Sequence, residues 1–478
     1  VFSELESLDM AERYLIASGN VSNPANWFSG EKPTIGDTAH ANGFVGQIDE
    51  NIAADTWTSA AGAVAVAGGN FNILDGFTLT GNVAAGTGVA ATAGAVTYGG
   101  VGEAIIDGSV LAGQTAAQHG VSFHTNFGAA TGYLTITGDV QGGAGSASRG
   151  VRWTPGNGAT LDIHGRVLGG EGPSTNSHGI IIDTGTSKTL IVRNNVESRA
   201  SDGININGQC TLWTILGNVV SGGDGTRFGI GVIQSGWSKA GMVGNIYGSL
   251  IGGQIADAGG IALTCNAEDE ITINVHGSSV ANAARACRIY GNSNATINVF
   301  GGANGGYRSG ANAIAVESGA AIIDVRGASV GGSHPDAHGI LNQSTSTIRV
   351  GGQSITNPSG ALGVNNPGNG QVVIGYADFF SPVLRFVTEG VTPKLVIGSW
   401  AKNATHITVA NPTIDVKDAS FNSVIGGPQA MTVDGTDPRL MKYEHGSNIF
   451  ARGNPYFLIF GGEHEGQPIP ETIHPIRF

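Results

Sequence analysis

ITINVHG (residues 271–277) and ATINVFG (residues 295–301) are two copies of one pattern, in which apolar and polar residues alternate and a glycine closes the segment. Shorter copies occur at residues 322–327 (IIDVRG) and 348–351 (IRVG). Alternation over four to eight residues is typical of a β-strand that buries one face. The copies return at intervals of about 23 to 31 residues. A repeat with a period in this range indicates a solenoid of stacked coils.

Two further short segments accompany most copies of this pattern. One precedes it and is introduced by glycine, as in residues 179–182 (GIII) and 260–263 (GIAL). The other follows the closing glycine, as in residues 140–143 (VQGG). Three strands in each repeat predict an all-β protein, a right-handed parallel β-helix of about ten coils that covers residues 61–375.

One copy ends in Asn194 instead of the closing glycine. Asparagine is the residue that tolerates positive φ best after glycine, so we expect a positive φ at this position of each coil. An antiparallel sandwich is the weaker alternative, because Asn-Gly or Asp-Gly hairpin signals at regular spacing do not dominate the sequence. A propeller would need a longer period, of about 40 to 50 residues.

The composition agrees with an ordered, turn-rich β protein. Glycine accounts for 79 of the 478 residues, charged residues are only 12 % and hydrophobic residues 40 %, which is enough to bury a core. The formal net charge of −13 makes nucleic-acid binding unfavourable. The three cysteines, Cys210, Cys265 and Cys287, are too few for a disulfide scaffold and are expected to be small buried residues.

Residues 1–60 are predicted to form an N-terminal cap and attachment segment. Ser3 and Glu6 have the spacing of a capping box, which indicates a short helix over residues 2–17. Leu5, Leu8 and Leu15 fall on one stripe of that helix. This stripe either covers the open end of the solenoid or contacts another subunit or a larger assembly.

Residues 18–48 follow, with Trp27, Pro33 and the pair Gly36-Asp37 leading into an apolar segment. This arrangement resembles the opening segment of the β-helical spikes and fibres of tailed bacteriophages and of bacterial surface proteins, in which a W-x(n)-P-x-x-G-D pattern precedes the first coil. No secretion signal or membrane span is visible, which favours the phage side of the resemblance. The resemblance implies a homotrimer on the virion surface that contacts other virion proteins through its N-terminal segment and a host glycan through its body.

Residues 376–478 depart from the repeat. Coil-like fragments persist at residues 407–409 and 414–416, and a segment at residues 456–460 (YFLIF) is followed by a proline-bearing tail. We expect degenerate coils, one strand and an extended arm in this C-terminal region.

Enzymatic cleavage of polysaccharides on a β-helix needs two carboxylates about 5 to 9.5 Å apart on one outward face. Asp162 and Asp324 lie in one outward column but many coils apart, so they cannot act together. Asn274 and Asn298 occupy this column on adjacent coils and are expected to form a stacked amide ladder. Glu197, Asp202 and Asp224 are weak catalytic candidates because they are expected in turns of successive coils.

A second outward column, immediately before the closing glycine, predicts the functional surface. Aromatic, histidine and arginine side chains occupy most positions of this column. Such groups in an exposed row are suited to contact with another subunit or to stacking on sugar rings. The candidate residues for subunit contact or glycan binding are His164, Arg193, Tyr247, His276, Phe300 and Arg326.

No motif in the sequence indicates a cofactor, and a metal site is not expected. His119, His178 and His338 precede strand-initiating glycines, but their copies are too far apart to share one ion.

The leading hypothesis is therefore a non-enzymatic virion structural protein used in assembly and host attachment. A polysaccharide depolymerase on the same fold and a bacterial adhesin or surface-layer protein are the alternatives.

Overall fold

The computed structural model describes much of residues 11–355 and, beyond them, strands only. The residues not described are 1–10, 43, 60–63, 67–70, 86–93, 99–101, 113–118, 124–131, 145–146, 154–158, 172–176, 183–188, 200, 208–211, 223–229, 233–240, 254–258, 264–269, 283–284, 290–293, 335, 356–363, 367–370 and those between and after the later strands given below. The chain divides into two units, residues 1–225 and 226–478.

The first unit is a parallel β-solenoid. Its main sheet contains the strands Glu12–Tyr14, Thr38–His40, Ile52–Ser59, Thr78–Ala85, Glu103–Asp107, Tyr133–Ile136, Thr160–Ile163, Thr189–Val192 and Leu212–Ile215, and the short strands Val110–Leu111, Val140–Gln141, Val167–Leu168, Val196–Glu197 and Val219–Val220. The facing strands are Gly19–Asn20, Gly46–Ile48, Val64–Val66, Phe71–Ile73, Gly94–Tyr98, His119–Phe123, Val151–Trp153, Ile180–Ile182 and Ile204–Ile206.

The second unit repeats this architecture. Its main sheet contains Met242–Ile246, Ile271–Val275, Ala295–Val299, Ile322–Val325, Thr347–Ile355, Gln371–Tyr376, Lys394–Ile397, Thr413–Val416 and Met441–Tyr443, and the short strands Leu250–Ile251, Ser279–Val280, Ala303–Asn304 and Ser329–Val330. The facing strands are Ile230–Val232, Ile261–Leu263, Cys287–Ile289, Ile314–Val316, Ile340–Asn342, Val364–Asn366, Leu384–Thr388, His406–Ala410 and Ala430–Asp434.

The last strands of the second unit pair antiparallel. They are Asn448–Phe450, Tyr456–Ile459 and Thr472–Pro475 in one sheet, and Glu463–His464 with Gln467–Pro468 in another. The degenerate coils and extended arm expected for residues 376–478 stay a prediction, as do the domain boundaries at residues 60 and 375.

The core consists of like residues stacked on successive coils. Ile273 is the register partner of Ile297, which is the partner of Ile323, and all three are fully buried. Leu134, Leu161 and the next coil's leucine form the corresponding column of the first unit. A branched side chain that stacks on its own kind fills the coil interior without voids, so the alternating pattern of the sequence is the pattern of the core. The predicted all-β, parallel β-solenoid is confirmed, and its right-handed sense stays a prediction.

The glycine that closes each main strand has a different role from the one expected. Gly108, Gly138 and Gly277 do not have positive φ, and neither does Asn194. A Cβ atom built on Gly277 would lie 2.5 Å from the carbonyl oxygen of Gly248. The positive φ predicted for each coil is therefore wrong at these positions, whereas Gly81, which closes the copy at residues 77–81, has a φ of +122°. Glycine is favoured at the closing position because the backbones of successive coils approach each other closely, although one coil accommodates Asn194 at this position.

The predicted N-terminal helix over residues 2–17 is wrong where the structure describes that segment. Glu12–Tyr14 form a strand that pairs parallel with Thr38–His40, and Leu15 bridges to Trp27. Leu5 and Leu8 lie outside the described residues, so the rest of the helix stays a prediction. Within the described residues, the helical structure is a single 3₁₀ turn at Pro24–Asn26.

We expect Gly277→Ala to destabilise the protein by about 1–3 kcal/mol, because the added methyl group forces two coils apart. Gly241 has a φ of +73° but nothing within 4 Å of its Cβ position. Gly241→Asn is the control for a glycine in open space: its cost is limited to the strain of a left-handed residue, which asparagine tolerates best after glycine. In a urea titration followed by circular dichroism it should unfold closer to the parent midpoint than Gly277→Ala. Equal midpoints for the Gly277→Ala variant and the parent would contradict the close-approach explanation.

Candidate functional site

The outward face of the main sheet in the second unit carries an amide ladder. Asn245, Asn274 and Asn298 are successive register partners. The Asn274 amide donates from Nδ2 to Oδ1 of Asn245 over 2.9 Å, and Asn298 donates to Oδ1 of Asn274 over 2.8 Å. Asp324 and Arg349 occupy the same register position on the next two coils. The ladder predicted for Asn274 and Asn298 is confirmed and includes one more member.

An aromatic column runs beside the ladder, two residues further along each strand. The rings of Tyr247 and His276 are parallel within 1° with centroids 4.4 Å apart. His276 stacks in the same way on Phe300, with centroids 4.6 Å apart and an angle of 3°. The guanidinium carbon of Arg326 lies 4.1 Å from the centroid of the Phe300 ring. Four of the predicted surface residues therefore form one continuous stack.

The stack determines which parts of these groups face solvent. Tyr247 is 53 % exposed, and His276 and Arg326 are also exposed. The ring faces of His276 are occupied by Tyr247 on one side and Phe300 on the other. The ring edges and the polar tips of Tyr247, His276 and Arg326 are thus presented beside the amide ladder. This surface therefore has a row of amide donors and acceptors beside a row of aromatic carbon and polar tips.

His164 and Arg193, the two predicted surface residues of the first unit, lie near one carboxylate instead of a ring. Arg193 donates from Nε and Nη2 to the two oxygens of Asp162 over 3.0 and 2.8 Å, and Tyr133 donates to Asp162 Oδ2 over 2.8 Å. Nε2 of His164 lies 3.8 Å from the same oxygen. Asp162 occupies an outward register position but is buried beneath these groups.

The electrostatics of Asp162 are those of a satisfied structural carboxylate. Burial by itself would raise its pKa, but the hydrogen bonds from Arg193 and Tyr133 outweigh burial and lower the pKa below its usual value. The same environment raises the pKa of Tyr133, through its own burial and its bond to Asp162. Asp162 is therefore ionised and fully paired, which suits stability rather than proton transfer.

Two of the three weak catalytic candidates, Glu197 and Asp202, lie among the described residues, and both take part in hydrogen bonds. Asp202 is buried and accepts a 2.7 Å hydrogen bond from Asn205. Glu197 lies in the short strand Val196–Glu197, not in a turn, and its carboxylate accepts from Asn195 at 3.3 Å. Asp224 lies outside the described residues.

Three buried side chains, Ser201, His178 and Asp202, lie close together but not in the arrangement of a hydrolase triad. Nδ1 of His178 is 2.8 Å from Oγ of Ser201 and 3.5 Å from Oδ2 of Asp202. A catalytic triad places serine and aspartate on opposite ring nitrogens, and it needs an accessible nucleophile. Both partners here face the same nitrogen, and Ser201 is fully buried. The cluster is buried, and His178 lies just before the strand Ile180–Ile182.

His119, the first residue of the strand His119–Phe123, has a marked electrostatic environment. Its ring is almost fully buried, and Nδ1 accepts from the backbone N–H of Arg149 at 3.3 Å. Burial, with smaller contributions from the charges of Arg149 and Arg152, lowers the pKa of His119 to about 3.

Among the described residues, no group of three or more metal-ligating side chains is present. No described helix is long and apolar enough to cross a bilayer.

The motif that carries the resemblance has a structural role in the first coil. Trp27 is buried and its indole N–H donates to the carbonyl oxygen of Val21 at 2.9 Å. Asp37 is buried, accepts from Thr34 and Ala11 backbone N–H groups, and pairs with Arg13 at 3.1 Å. Leu15, predicted to lie on a stripe that covers the open end of the solenoid or contacts another subunit or assembly, is fully buried. Cys287 is buried in the coil interior, as expected, and burial raises its thiol pKa to about 12.

Sequence reasoning missed two members of these clusters. Asn245 was not aligned with Asn274, although the segments GNIY and INVH share the position before the last apolar residue. Tyr133 was missed because it contacts Asp162 diagonally from the preceding coil, two residues away in register from the direct partner Thr135. Asn245 could have been found by aligning the repeats, whereas Tyr133 could be found only from the strand register of the structure.

Comparison of the chain with protein-family models, with curated proteins and with solved structures finds no match. The assignment of a function therefore depends on the geometry of the described residues and on the motif at residues 18–48.

Asp162→Asn is expected to lower the free energy of unfolding by about 2 kcal/mol, since it weakens charge-assisted bonds to a buried carboxylate. Glu171→Gln is the matched control, because Glu171 pairs with Arg199 at the surface, where ion pairs contribute little. Urea unfolding at neutral pH measures both. A Glu171→Gln effect as large as that of Asp162→Asn would show that burial does not matter here.

The stability of the protein should depend on His119 in acid. The folded pKa of about 3 lies below the value of about 6.5 for an unfolded histidine, so the unfolded chain takes up a proton first as the pH falls. Stability contributed by neutral His119 is thus present above about pH 6.5 and is lost progressively towards pH 3. The urea midpoint of His119→Gln should fall less steeply across this range than that of the parent, and parallel curves would contradict the assignment.

Proposed function

We propose that the protein is a non-enzymatic attachment protein of the β-helical spike or fibre type, which binds surface glycans through the outward face of its second unit. The observation that carries the proposal is the pairing of an amide ladder, Asn245 to Asn298, with the aromatic column from Tyr247 to Arg326. The placement on a virion rests on the resemblance of residues 18–48 and includes the trimer and the contact with other virion proteins.

The chemistry of this face suits sugars. A saccharide presents hydroxyl groups along its edge and aliphatic C–H groups on its ring faces, so it needs amide partners and aromatic carbon side by side. The ladder supplies the amides, and the exposed Tyr247 supplies aromatic surface and a hydroxyl group. Because the rings are held by their neighbours, little side-chain freedom is lost when a ligand binds.

Contact with another subunit is the second candidate for this column. The described residues of the second unit include three exposed large hydrophobic side chains, Tyr247, Tyr307 and Ile322. Obligate subunit interfaces are larger and more apolar than such a surface. The polar character of the face therefore favours a glycan over a permanent protein partner at this position.

We expect the full chain to bind immobilised bacterial surface polysaccharides in biolayer interferometry without releasing reducing ends. Tyr247→Ala should weaken binding about two- to tenfold, because loss of an aromatic contact costs about 0.5–1.5 kcal/mol. Tyr307→Ala is the matched control, since Tyr307 is equally exposed, at 53 %, but lies outside the column. It should bind like the parent.

The outcomes separate the candidate functions. Absence of binding to every polysaccharide, or equal losses for the two tyrosine variants, would overturn glycan binding at this face. A smaller mass by light scattering for Tyr247→Ala than for the parent would assign the column to a subunit interface. Release of reducing ends would replace the attachment function by a depolymerase.

A further inference from the structure

A shallow pocket lies where the aromatic column meets the polar ladder. Its volume is about 230 Å³. The polar and aromatic side chains that line it are Asn298, Phe300, Asp324, Arg326 and Arg349.

The pocket exists because the column ends. Val325 pairs in register with Val350, and the next residue after Val350 is glycine. That coil therefore adds no side chain to the row of Tyr247, His276, Phe300 and Arg326, and the guanidinium of Arg326 is left as its last member. Space for a ligand group remains beside it.

The hydrogen-bonding capacity of the Arg326 side chain is unused within the described residues. Its guanidinium lies over the ring of Phe300, and its side chain takes part in no hydrogen bond or ion pair with another described residue, although its backbone N–H donates to Val299. Stacking on an aromatic ring fixes the plane of a guanidinium but leaves its N–H donors pointing outward. Arg326 is thus oriented for a planar acceptor before any ligand arrives.

The charges of the pocket define which hydrogen-bond acceptor of a ligand it can bind. Arg326 and Arg349 contribute two positive charges and Asp324 one negative charge, and the Arg349 to Asp324 contact is long, at 3.4 Å. The pocket therefore has one positive charge in excess, which matches a singly charged carboxylate. A phosphate with close to two negative charges would be opposed by Asp324. Oδ1 of Asn298 and the carboxylate of Asp324 can accept bonds from hydroxyl groups adjacent to the bound anion.

We infer that this pocket binds the carboxylate of an acidic sugar residue, of the uronic or sialic acid class, through the guanidinium groups of Arg326 and Arg349. The inference rests on the proposed glycan binding and specifies its ligand. The overall net charge of −13 does not prevent it, because repulsion from distant charges is screened beyond about 8 Å at physiological ionic strength.

The test is isothermal titration of the full chain with three acidic probes, trigalacturonic acid, a hyaluronan tetrasaccharide and sialyllactose, each compared with its own methyl ester. At least one acid is expected to bind about tenfold more tightly than its ester, because esterification removes a charge-assisted pair. Arg326→Gln should remove that preference, and Arg326→Lys should restore it only in part because lysine lacks the fork of donors. Arg199→Gln makes the same change of charge at an exposed position and should leave the preference intact.

The two proposals fail in different ways. If polysaccharides bind in a Tyr247-dependent manner but acids and esters bind equally, the acidic-sugar site is wrong and glycan attachment stands. A preference for acids that survives in Arg326→Gln would likewise overturn this pocket as its origin. If neither the polysaccharides nor any of the probes binds, both proposals are wrong.

Discussion

Parallel hydrogen bonding between successive coils is the constraint on which the rest of the structure depends. Neighbouring strands of a sheet lie about 4.8 Å apart, so each residue is placed directly over its register partner on the next coil. Stacks such as Ile273, Ile297 and Ile323 in the core are one result. Glycine at Gly277 and its equivalents is another, because the same spacing brings backbone atoms within 2.7 Å of a potential Cβ atom.

The same constraint organises the surface. Rings of Tyr247, His276 and Phe300 stack at 4.4 to 4.6 Å, close to the spacing that the backbone imposes, so the column forms without distortion of the strands. Amide side chains on the adjacent row bond to each other in the same manner. A solenoid therefore converts a repeated residue into a rigid linear array, and such an array is preorganised for a linear ligand.

The two units use outward positions in contrasting ways. In the first unit, Arg193 and Tyr133 cover Asp162 and satisfy its oxygens, which leaves a structural network. In the second unit, the guanidinium of Arg326 lies over the ring of Phe300 instead. The side chain beneath the arginine, a carboxylate or a ring, therefore decides whether the guanidinium forms an ion pair or an aromatic stack.

The sequence by itself determined the solenoid, its coil boundaries, the inward residues and the alignment of the aromatic column, because period and alternation are local properties of the chain. It also predicted the ladder of Asn274 and Asn298. Only the tertiary structure decided the reason for the closing glycine, which is a contact between coils, and the strand at Glu12–Tyr14, whose partner is 26 residues away in register. The burial of Asp162 and the pocket at Arg326 also required the structure, because each depends on which side chain of a neighbouring coil lies diagonally above or is missing. Sequence spacing along one strand does not contain that information.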